Sequence, residues 1–168
     1  MASIGELLKE ISYECVCGTA EQEITDVIYD SRKVTEGCLF VCIPGAKADG
    51  HQYAAAAVEA GAAALLVEHE VELPDGCDVT VIRVEDTCYA MAFASAAYFG
   101  HPAEQMKIIG ITGTKGKTTT TYLVKSILEQ AGRKVGLIGT IEIIIGDTHI
   151  HAENTTPQSY LIQKYFRM

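Results

Sequence analysis

The chain has few basic side chains and no cluster of them. It carries 13 Lys and Arg residues against 22 Asp and Glu residues, which gives a formal net charge of −9. The basic residues are scattered and come in pairs at most, among them Lys115 and Lys117 on either side of Gly116. A nucleic-acid surface needs clustered Lys and Arg, because its affinity comes largely from phosphate contacts. The composition therefore argues against nucleic acid as a partner.

The chain also lacks a long apolar run. Its most apolar stretches contain Glu59 or Glu142, and none approaches the ~20 uninterrupted apolar residues of a membrane-spanning helix. Residues 1–6 show neither the basic start nor the hydrophobic core of a secretory signal. We therefore expect no membrane insertion and a cytoplasmic location.

The six cysteines lack the spacing of a disulfide framework or a zinc site. Cys38 and Cys42 would stand ~13 Å apart along a strand, whereas a disulfide requires Cα atoms within ~7 Å. Cys15 and Cys17 have no second pair at zinc-ribbon spacing. We expect all six to be reduced thiols, mostly small core residues.

Strand and helix patterns alternate along the first part of the chain, which is 48% hydrophobic overall. Strand patterns cover 24–29, 38–43, 64–68 and 79–84, and helical patterns cover 52–60 and 87–99. This alternation predicts a small α/β domain. A linker-like His101 and Pro102 follow it, so we predict one domain at 1–102 and the start of a second at 103–168.

Several residues are typical of helix ends. Ser3 and Glu6 fit a capping box for a short helix that we expect to reach about residue 10. Asp86 is placed to cap the helix predicted from Thr87. Gly61 and Gly100 stand where a left-handed glycine ends a helix.

A glycine-rich stretch at 110–121 follows an apolar run at 106–111 and precedes a helical pattern. Strand, glycine-rich turn and helix together turn backbone N–H groups toward a phosphate chain. Gly113 and Gly116 allow the backbone to bend sharply and approach an anion. The stretch predicts a mononucleotide-phosphate site.

Lys117 and Thr118 are the residues of this stretch that carry chemistry. The lysine can reach the β- and γ-phosphates, and the threonine hydroxyl can ligate Mg²⁺. Ile111 occupies the position of the first glycine in the strict phosphate-loop pattern, so a plain turn with a solvated lysine is the alternative. The flanking patterns and four consecutive threonines favour phosphate binding.

The rest of the second segment predicts an unfinished domain. After the helix ending at Gly132, a strand at 135–138 and a hairpin at 141–150 about Gly146 and Asp147 complete the pattern. A phosphate-loop domain with a parallel sheet needs more strands than these two or three. We therefore predict the truncated start of such a domain, with exposed sheet edges that favour self-association.

Four stretches in order resemble the Mur ligase family, the ATP-dependent amino-acid ligases of peptidoglycan precursor synthesis. Residues 112–119 resemble its ATP loop, with Lys115 where the family usually has Asn. The other matching stretches are 29–34 with 37–45 and 48–51, then 134–140, then 154–157. The first of these is similar to the family's N-terminal UDP-binding domain. The chain looks most like the member that adds the third residue of the stem peptide.

The resemblance implies three groups of binding residues. ATP would be bound by Gly113, Thr114, Lys115, Gly116, Lys117, Thr118 and Thr119. The UDP part of the sugar substrate would be bound by Tyr29, Ser31, Ala46, Lys47 and Ala48. The muramoyl-peptide part would be bound by Asn154, Thr155 and Thr156. By themselves these last two groups could also be an ordinary turn, a solvated loop and a capped helix start.

The resemblance also implies a reaction. ATP would phosphorylate a carboxylate of UDP-MurNAc-L-Ala-D-Glu, and the amine of meso-diaminopimelate or L-lysine would displace phosphate from the acyl phosphate. Lys117 and Thr118 would be catalytic, with Thr118 on Mg²⁺. The other metal ligands and the amino-acid pocket would lie beyond residue 168, so we expect no turnover from these residues.

Other functions stay open at this point. A ligase that adds the terminal dipeptide is the nearest alternative, and a folylpolyglutamate synthetase fits less well because it binds no UDP-sugar. A non-catalytic UDP-sugar-binding or nucleotide-binding module is a different class. An unrelated nucleotide switch is a third.

Overall fold

The computed structural model describes residues 2–45, 48–74 and 76–168. The chain forms two compact units, which cover Met1–His101 and Pro102–Met168. This division falls one residue before the predicted one. No helix among the described residues is long and apolar enough to cross a membrane.

The first unit is built on a five-stranded sheet. The strands of this unit are β1 (Ala2–Ser3), β2 (Glu14–Cys17), β3 (Glu23–Ile24), β4 (Val27–Ile28), β5 (Leu39–Val41), β6 (Ala64–Val67) and β7 (Thr80–Arg83). The sheet has the order β2-β7-β6-β5-β4, in which β4 to β7 run parallel to one another and β2 is antiparallel to β7, whereas β1 pairs with β3 separately. The helices are α1 (Ile4–Leu7), α2 (Ala54–Glu59) and α3 (Thr87–Tyr98), with 3₁₀ turns at Ser31–Lys33 and Gly50–Tyr53. The parallel core confirms the predicted α/β class.

The central strands are buried on both faces, as their continuous apolar sequences predict. All three residues of β5 are at most 1% exposed. On one face of the sheet, Cys38, Phe40 and Cys42 belong to a buried cluster with Ala54 and Ala57 of α2. Apolar burial of this kind is the main source of stability in such a unit.

The cysteines only partly follow the prediction. All six are unpaired, but only Cys38 and Cys42 are buried. Cys15, Cys17 and Cys88 are exposed, so the expectation that most cysteines are core residues was wrong. Burial raises the pKa of the Cys42 thiol to about 12.

The helix caps are confirmed. Ser3 and Glu6 exchange backbone-to-side-chain hydrogen bonds of 3.1 and 3.3 Å, and Asp86 accepts from the Tyr89 N–H at 2.8 Å. The first helix is shorter than expected: it ends at Leu7, and residues 8–10 form a turn in which the Ile11 N–H donates to the Leu8 carbonyl at 2.9 Å.

The predicted strand at 24–29 is divided between two sheets. Its first part pairs with β1 and its second part, β4, pairs with β5. The break lies at Thr25 and Asp26, where the Asp26 carboxylate accepts from the Val27 N–H at 2.8 Å. Sequence reasoning missed β2, whose four residues are all exposed and carry no apolar alternation.

The second unit contains an antiparallel sheet and two helices. Its elements are α4 (Lys117–Gln130), β8 (Leu137–Ile138), β9 (Glu142–Ile145), β10 (Thr148–His151) and α5 (Ser159–Arg167), after a 3₁₀ turn at Pro102–Gln105. The sheet has the order β10-β9-β8 with antiparallel pairs. The predicted hairpin is confirmed, with Ile145 opposite Thr148 and Gly146 at φ +56°.

The predicted strand at 106–111 does not form. These residues belong to no strand, and Ile108 and Ile109 are 56% and 61% exposed. An apolar run becomes a strand only where another strand pairs with its N–H and C=O groups. The three strands of this unit pair with one another instead. The apolar stripe of α4 is likewise uncovered, with Leu123 58% and Ile127 65% exposed.

Candidate functional site

The carboxyl ends of β4 and β5 lie side by side at one edge of the first unit's sheet. The two strands pair in parallel, with Val27 opposite Leu39, so the segments that follow them leave from the same edge. Tyr29 and Ser31 follow β4, and Ala48 lies in the loop after β5. Ligands of open parallel sheets bind in the crevice outside this edge. Ala46 and Lys47, the other two residues predicted for this group, lie outside the described residues.

The segment after β4 is a 3₁₀ turn held by an ion pair. The Asp30 carboxylate accepts from the Arg32 backbone N–H at 3.1 Å and from its guanidinium at 2.9 and 2.8 Å. The Arg32 side chain thereby lowers the pKa of Asp30 to about 2. The residues after β4 therefore form the ordinary turn that the sequence alone also allowed. This turn places the half-buried Ser31 between Asp30 and Arg32.

The loop after β5 is closed tightly at its base. The Gly50 N–H donates to the Ile43 carbonyl at 2.8 Å, and the Gly45 N–H donates to the Ala48 carbonyl at 3.1 Å. A Cβ on Gly50 would lie 2.6 Å from the Ile43 nitrogen, so only glycine fits there. The closed base fixes where the exposed Ala48 stands.

Sequence reasoning missed a cluster at the same edge, formed by Asp49, His51 and His69. The His51 side chain is only 3% exposed, and its Nδ1 lies 2.6 Å from an Asp49 carboxylate oxygen. Its Nε2 accepts from the Glu68 backbone N–H at 2.9 Å. His69, next in the chain after Glu68, stacks on His51 with ring centroids 4.0 Å apart. No local sequence pattern indicates that two histidines on different loops will be in contact.

The phosphate loop predicted in the second unit forms both the expected glycine turn and the helix that follows it. Gly113 and Gly116 adopt φ +150° and +79°, and α4 begins directly afterwards at Lys117. Backbone N–H groups at this helix start lack intrahelical partners and carry the positive end of the helix dipole. Lys117 Nζ donates to the Gly113 carbonyl at 2.6 Å, which places the ammonium group inside the loop.

The other residues predicted for ATP are grouped around this helix start. Thr114 and Lys115 lie in the loop, and Thr118 and Thr119 lie in the first turn of α4. The Thr120 and Thr121 hydroxyls are hydrogen-bonded to backbone carbonyls of the same turn. The structure brings these residues together at one turn before α4, although the preceding strand is not formed.

The stretch at 154–156 is an exposed bend rather than a helix cap. Helix α5 begins at Ser159, and Gln158 precedes it without a capping side-chain bond. The Thr155 hydroxyl lies 3.2 Å from the Thr140 hydroxyl, which ties the bend to the turn after β8. Asn154 and Thr156 are exposed beside it.

Comparisons with known proteins match both units. Residues 23–99 match the family model described as Mur ligase family, catalytic domain. Residues 111–168 match the Mur ligase middle domain. The phosphate loop begins the second of these regions.

Curated relatives share almost the whole of this chain. The UDP-N-acetylmuramoyl-L-alanyl-D-glutamate–2,6-diaminopimelate ligase of Clostridium perfringens is 45% identical over 161 residues, which are 96% of this chain and 33% of that protein. The protein of the same name from Clostridium botulinum is 48% identical over 162 residues, with the same coverage. The chain therefore spans about a third of the length of these relatives.

Solved structures show the same fold. A structure of a UDP-N-acetylmuramoyl-L-alanyl-D-glutamate–2,6-diaminopimelate ligase superposes with a TM-score of 0.74 at 23% identity, over 99% of this chain and 33% of that chain. The MurF ligase of Thermotoga maritima in complex with ADP gives 0.55 at 22% identity, over 84% and 28%. With both domain models matched in order and relatives near half identity, the chain belongs to the Mur ligase family of ATP-dependent ligases and corresponds to its N-terminal portion.

Proposed function

We propose that this chain supplies the UDP-sugar-binding domain and the ATP loop of a ligase that adds the third stem-peptide residue to UDP-MurNAc-L-Ala-D-Glu. The observation that carries the proposal is 45–48% identity over 96% of the chain to relatives named for that reaction. Those names favour 2,6-diaminopimelate over L-lysine as the amino acid added. ATP and the UDP-sugar are cytoplasmic metabolites, so we place the reaction in the cytoplasm.

The first unit binds the UDP part of the substrate in this proposal. Ser31, presented by the ion-paired turn after β4, hydrogen-bonds the uracil edge, because a hydroxyl both donates and accepts. Tyr29 packs beside the uridine. The loop after β5, with Ala46, Lys47 and Ala48, offers backbone N–H groups to the diphosphate.

The phosphate loop of the second unit binds ATP. The loop N–H groups between Gly113 and Thr119 cradle the phosphates at the positive end of α4. Lys117 exchanges the Gly113 carbonyl, 2.6 Å away, for the β- and γ-phosphate oxygens. Thr118, in the first turn of α4, would offer its hydroxyl to Mg²⁺, and the bound ion would supply positive charge near the transferred phosphoryl group.

The chemistry follows from phosphoryl transfer. The D-glutamate carboxylate attacks the γ-phosphorus and ADP leaves, and then the incoming amine attacks the acyl carbon and phosphate leaves. Asn154, Thr155 and Thr156 contact the muramoyl-peptide end of the substrate. We propose that these 168 residues bind ligands without turnover, since they span only a third of the relatives' length.

Calorimetric titration with UDP-MurNAc-L-Ala-D-Glu and with Mg·ATP tests both binding assignments. Ser31→Ala should weaken the UDP-sugar about tenfold, which is the loss of one hydrogen bond of ~1.4 kcal/mol, and leave Mg·ATP unchanged. Lys117→Ala should weaken Mg·ATP and leave the UDP-sugar unchanged. Ser126→Ala, on an exposed position of α4, is the matched control. Mg·ATP binding without UDP-sugar binding would replace the proposal with a generic nucleotide-binding function.

A further inference from the structure

The two stacked histidines at the edge of the first sheet have hydrogen-bond partners that favour different protonation states. His51 Nδ1 faces the Asp49 carboxylate at 2.6 Å, and His51 Nε2 faces the Glu68 backbone N–H at 2.9 Å. One nitrogen must donate and the other must accept, so the neutral ring with its proton on Nδ1 satisfies both contacts. Its partners thus keep the nearly buried His51 uncharged.

His69 faces acceptors on both sides. Its Nδ1 lies 3.0 Å from the Glu70 carbonyl oxygen, and its Nε2 lies 3.5 Å from the second Asp49 carboxylate oxygen. A neutral ring can donate to only one of them and would turn a lone pair toward the other. The imidazolium form satisfies both, and the carboxylates of Asp49 and Glu68 are the charged groups facing it. With a neutral His51, protonation of His69 would give the stacked pair a single positive charge, so the two rings would not repel each other.

These contacts join the loop after β5 to the end of β6. Asp49 lies at the base of that loop, bridged to Pro44, and it also accepts from the His51 backbone N–H at 3.0 Å. His51 connects Asp49 to Glu68, and His69 contacts Asp49 from the outer side with 59% of its side chain exposed. The cluster therefore holds one end of the loop that includes residues 46–48.

We propose that His51 and His69 are positioning residues for this loop: neutral His51 ties it to β6, and protonated His69 holds Asp49, so the UDP-sugar binds more tightly when His69 is protonated. The inference rests on the proposed function of the loop. Hydrogen bonding to the Glu70 carbonyl and the nearby Asp49 raise the pKa of His69 above its ordinary value. The contact is therefore complete below the ordinary pKa and is lost as the pH rises through the raised one.

A metal site is the competing interpretation of the same residues. The donor atoms of Asp49, His51 and His69 lie within 4.8 Å of one another. A metal on His51 Nδ1 would displace the proton that faces Asp49 while Nε2 still accepts from Glu68, which leaves an imidazolate ring. The hydrogen-bond pattern therefore favours the positioning role.

The test is the pH dependence of UDP-MurNAc-L-Ala-D-Glu binding by calorimetry. Its diphosphate is a diester and has no group titrating near pH 6, unlike a terminal phosphate with a pKa of about 6. Affinity should fall about fivefold between about pH 6 and pH 8.5. His69→Gln should show the weaker affinity at both values, and Mg·ATP binding should show no such difference between His69→Gln and the unmodified chain. His149→Gln, an exposed histidine of the second unit, is the control.

Further readouts separate the possible failures. His51→Gln, which can still donate and accept, should retain affinity that His51→Phe loses. Tight UDP-sugar binding with no pH dependence from His69 would overturn this inference and leave the proposed function standing, whereas no binding at any pH would overturn the proposed function.

NMR titration of the rings needs no ligand: the pKa of His69 should fall in Asp49→Asn, and an unchanged value contradicts the inference. Stoichiometric Zn²⁺ binding that requires His51 would establish the metal site instead.

Discussion

At the scale of single residues, the turn that presents Ser31 depends on one ion pair. Asp30→Asn keeps a capping side chain but removes the charge that Arg32 contacts at 2.8 Å. Because the folded pKa of Asp30, about 2, lies below its ordinary value of 3.8, the carboxylate stabilises the fold above that ordinary value. This contribution is lost as the pH falls through about 2.

We therefore expect Asp30→Asn to lower the free energy of unfolding at neutral pH by less than about 1 kcal/mol, since Arg32 is largely exposed. The difference in the free energy of unfolding between the variant and the unmodified chain should shrink below about pH 4. Urea unfolding at several pH values measures it, with Asp78→Asn as a control carboxylate elsewhere in the unit. A difference that stays constant down to pH 2 would mean that the ion pair contributes nothing.

The sequence alone identifies some of the candidate site residues and misses others. Motifs single out Ser31 and Lys117, because each stands in a recognisable local pattern. They do not reveal His69, because its neighbours Asp49 and His51 come from the loop after β5. Only the pairing of β5 with β6 brings those residues together. Contacts between loops depend on the sheet order, which local patterns do not contain.

At the scale of elements, the loop after β5 depends on Gly50. A Cβ there would lie 2.6 and 2.7 Å from the backbone nitrogen and oxygen of Ile43. Gly50→Ala should cost about 2 kcal/mol of unfolding free energy and weaken UDP-sugar binding, because the loop must shift. Gly76→Ala, with no atom within 4 Å of the new Cβ, should leave that affinity unchanged. Thermal unfolding and calorimetry measure both effects, and equal affinity in the two variants would contradict this account of the loop.

The sequence predicts well those elements that have a clear local pattern, and those that pair with the next element along the chain. The strands at 64–67 and 80–83 follow from apolar runs, and the hairpin follows from its Gly146-Asp147 turn. The run at 106–111 has an equally apolar pattern but forms no strand. Pairing partners decide that outcome, and a local pattern cannot supply them.

At the scale of the whole molecule, the two units differ in how completely they bury their apolar residues. The first contains a buried parallel core, whereas no residue of α4 in the second is buried. We expect residues 1–102 to fold independently and to resist limited proteolysis longer than residues 103–168. Mass spectrometry of the digest identifies the surviving fragment. Equally fast loss of both regions would show that the first unit has no stability of its own.

The uncovered apolar surface of the second unit should cause self-association. Leu123 and Ile127 on α4 and Ile108 and Ile109 before the loop are all more than half exposed, and such patches promote association. The double change Leu123→Glu and Ile127→Lys should reduce the oligomer fraction in sedimentation velocity. Ser126→Glu on the same helix is the control. A monomer at all concentrations of the unmodified chain would contradict this prediction.

We propose that the chain is the front portion of a ligase that adds the third stem-peptide residue. The most direct measurement is a calorimetric comparison of UDP-MurNAc-L-Ala-D-Glu with the UDP-MurNAc-tripeptide that carries diaminopimelate. We predict tighter binding of the dipeptide precursor, and about tenfold weaker binding of it in Ser31→Ala. Preference for the tripeptide would assign the chain to a ligase that adds the terminal dipeptide, and binding of neither would contradict the account.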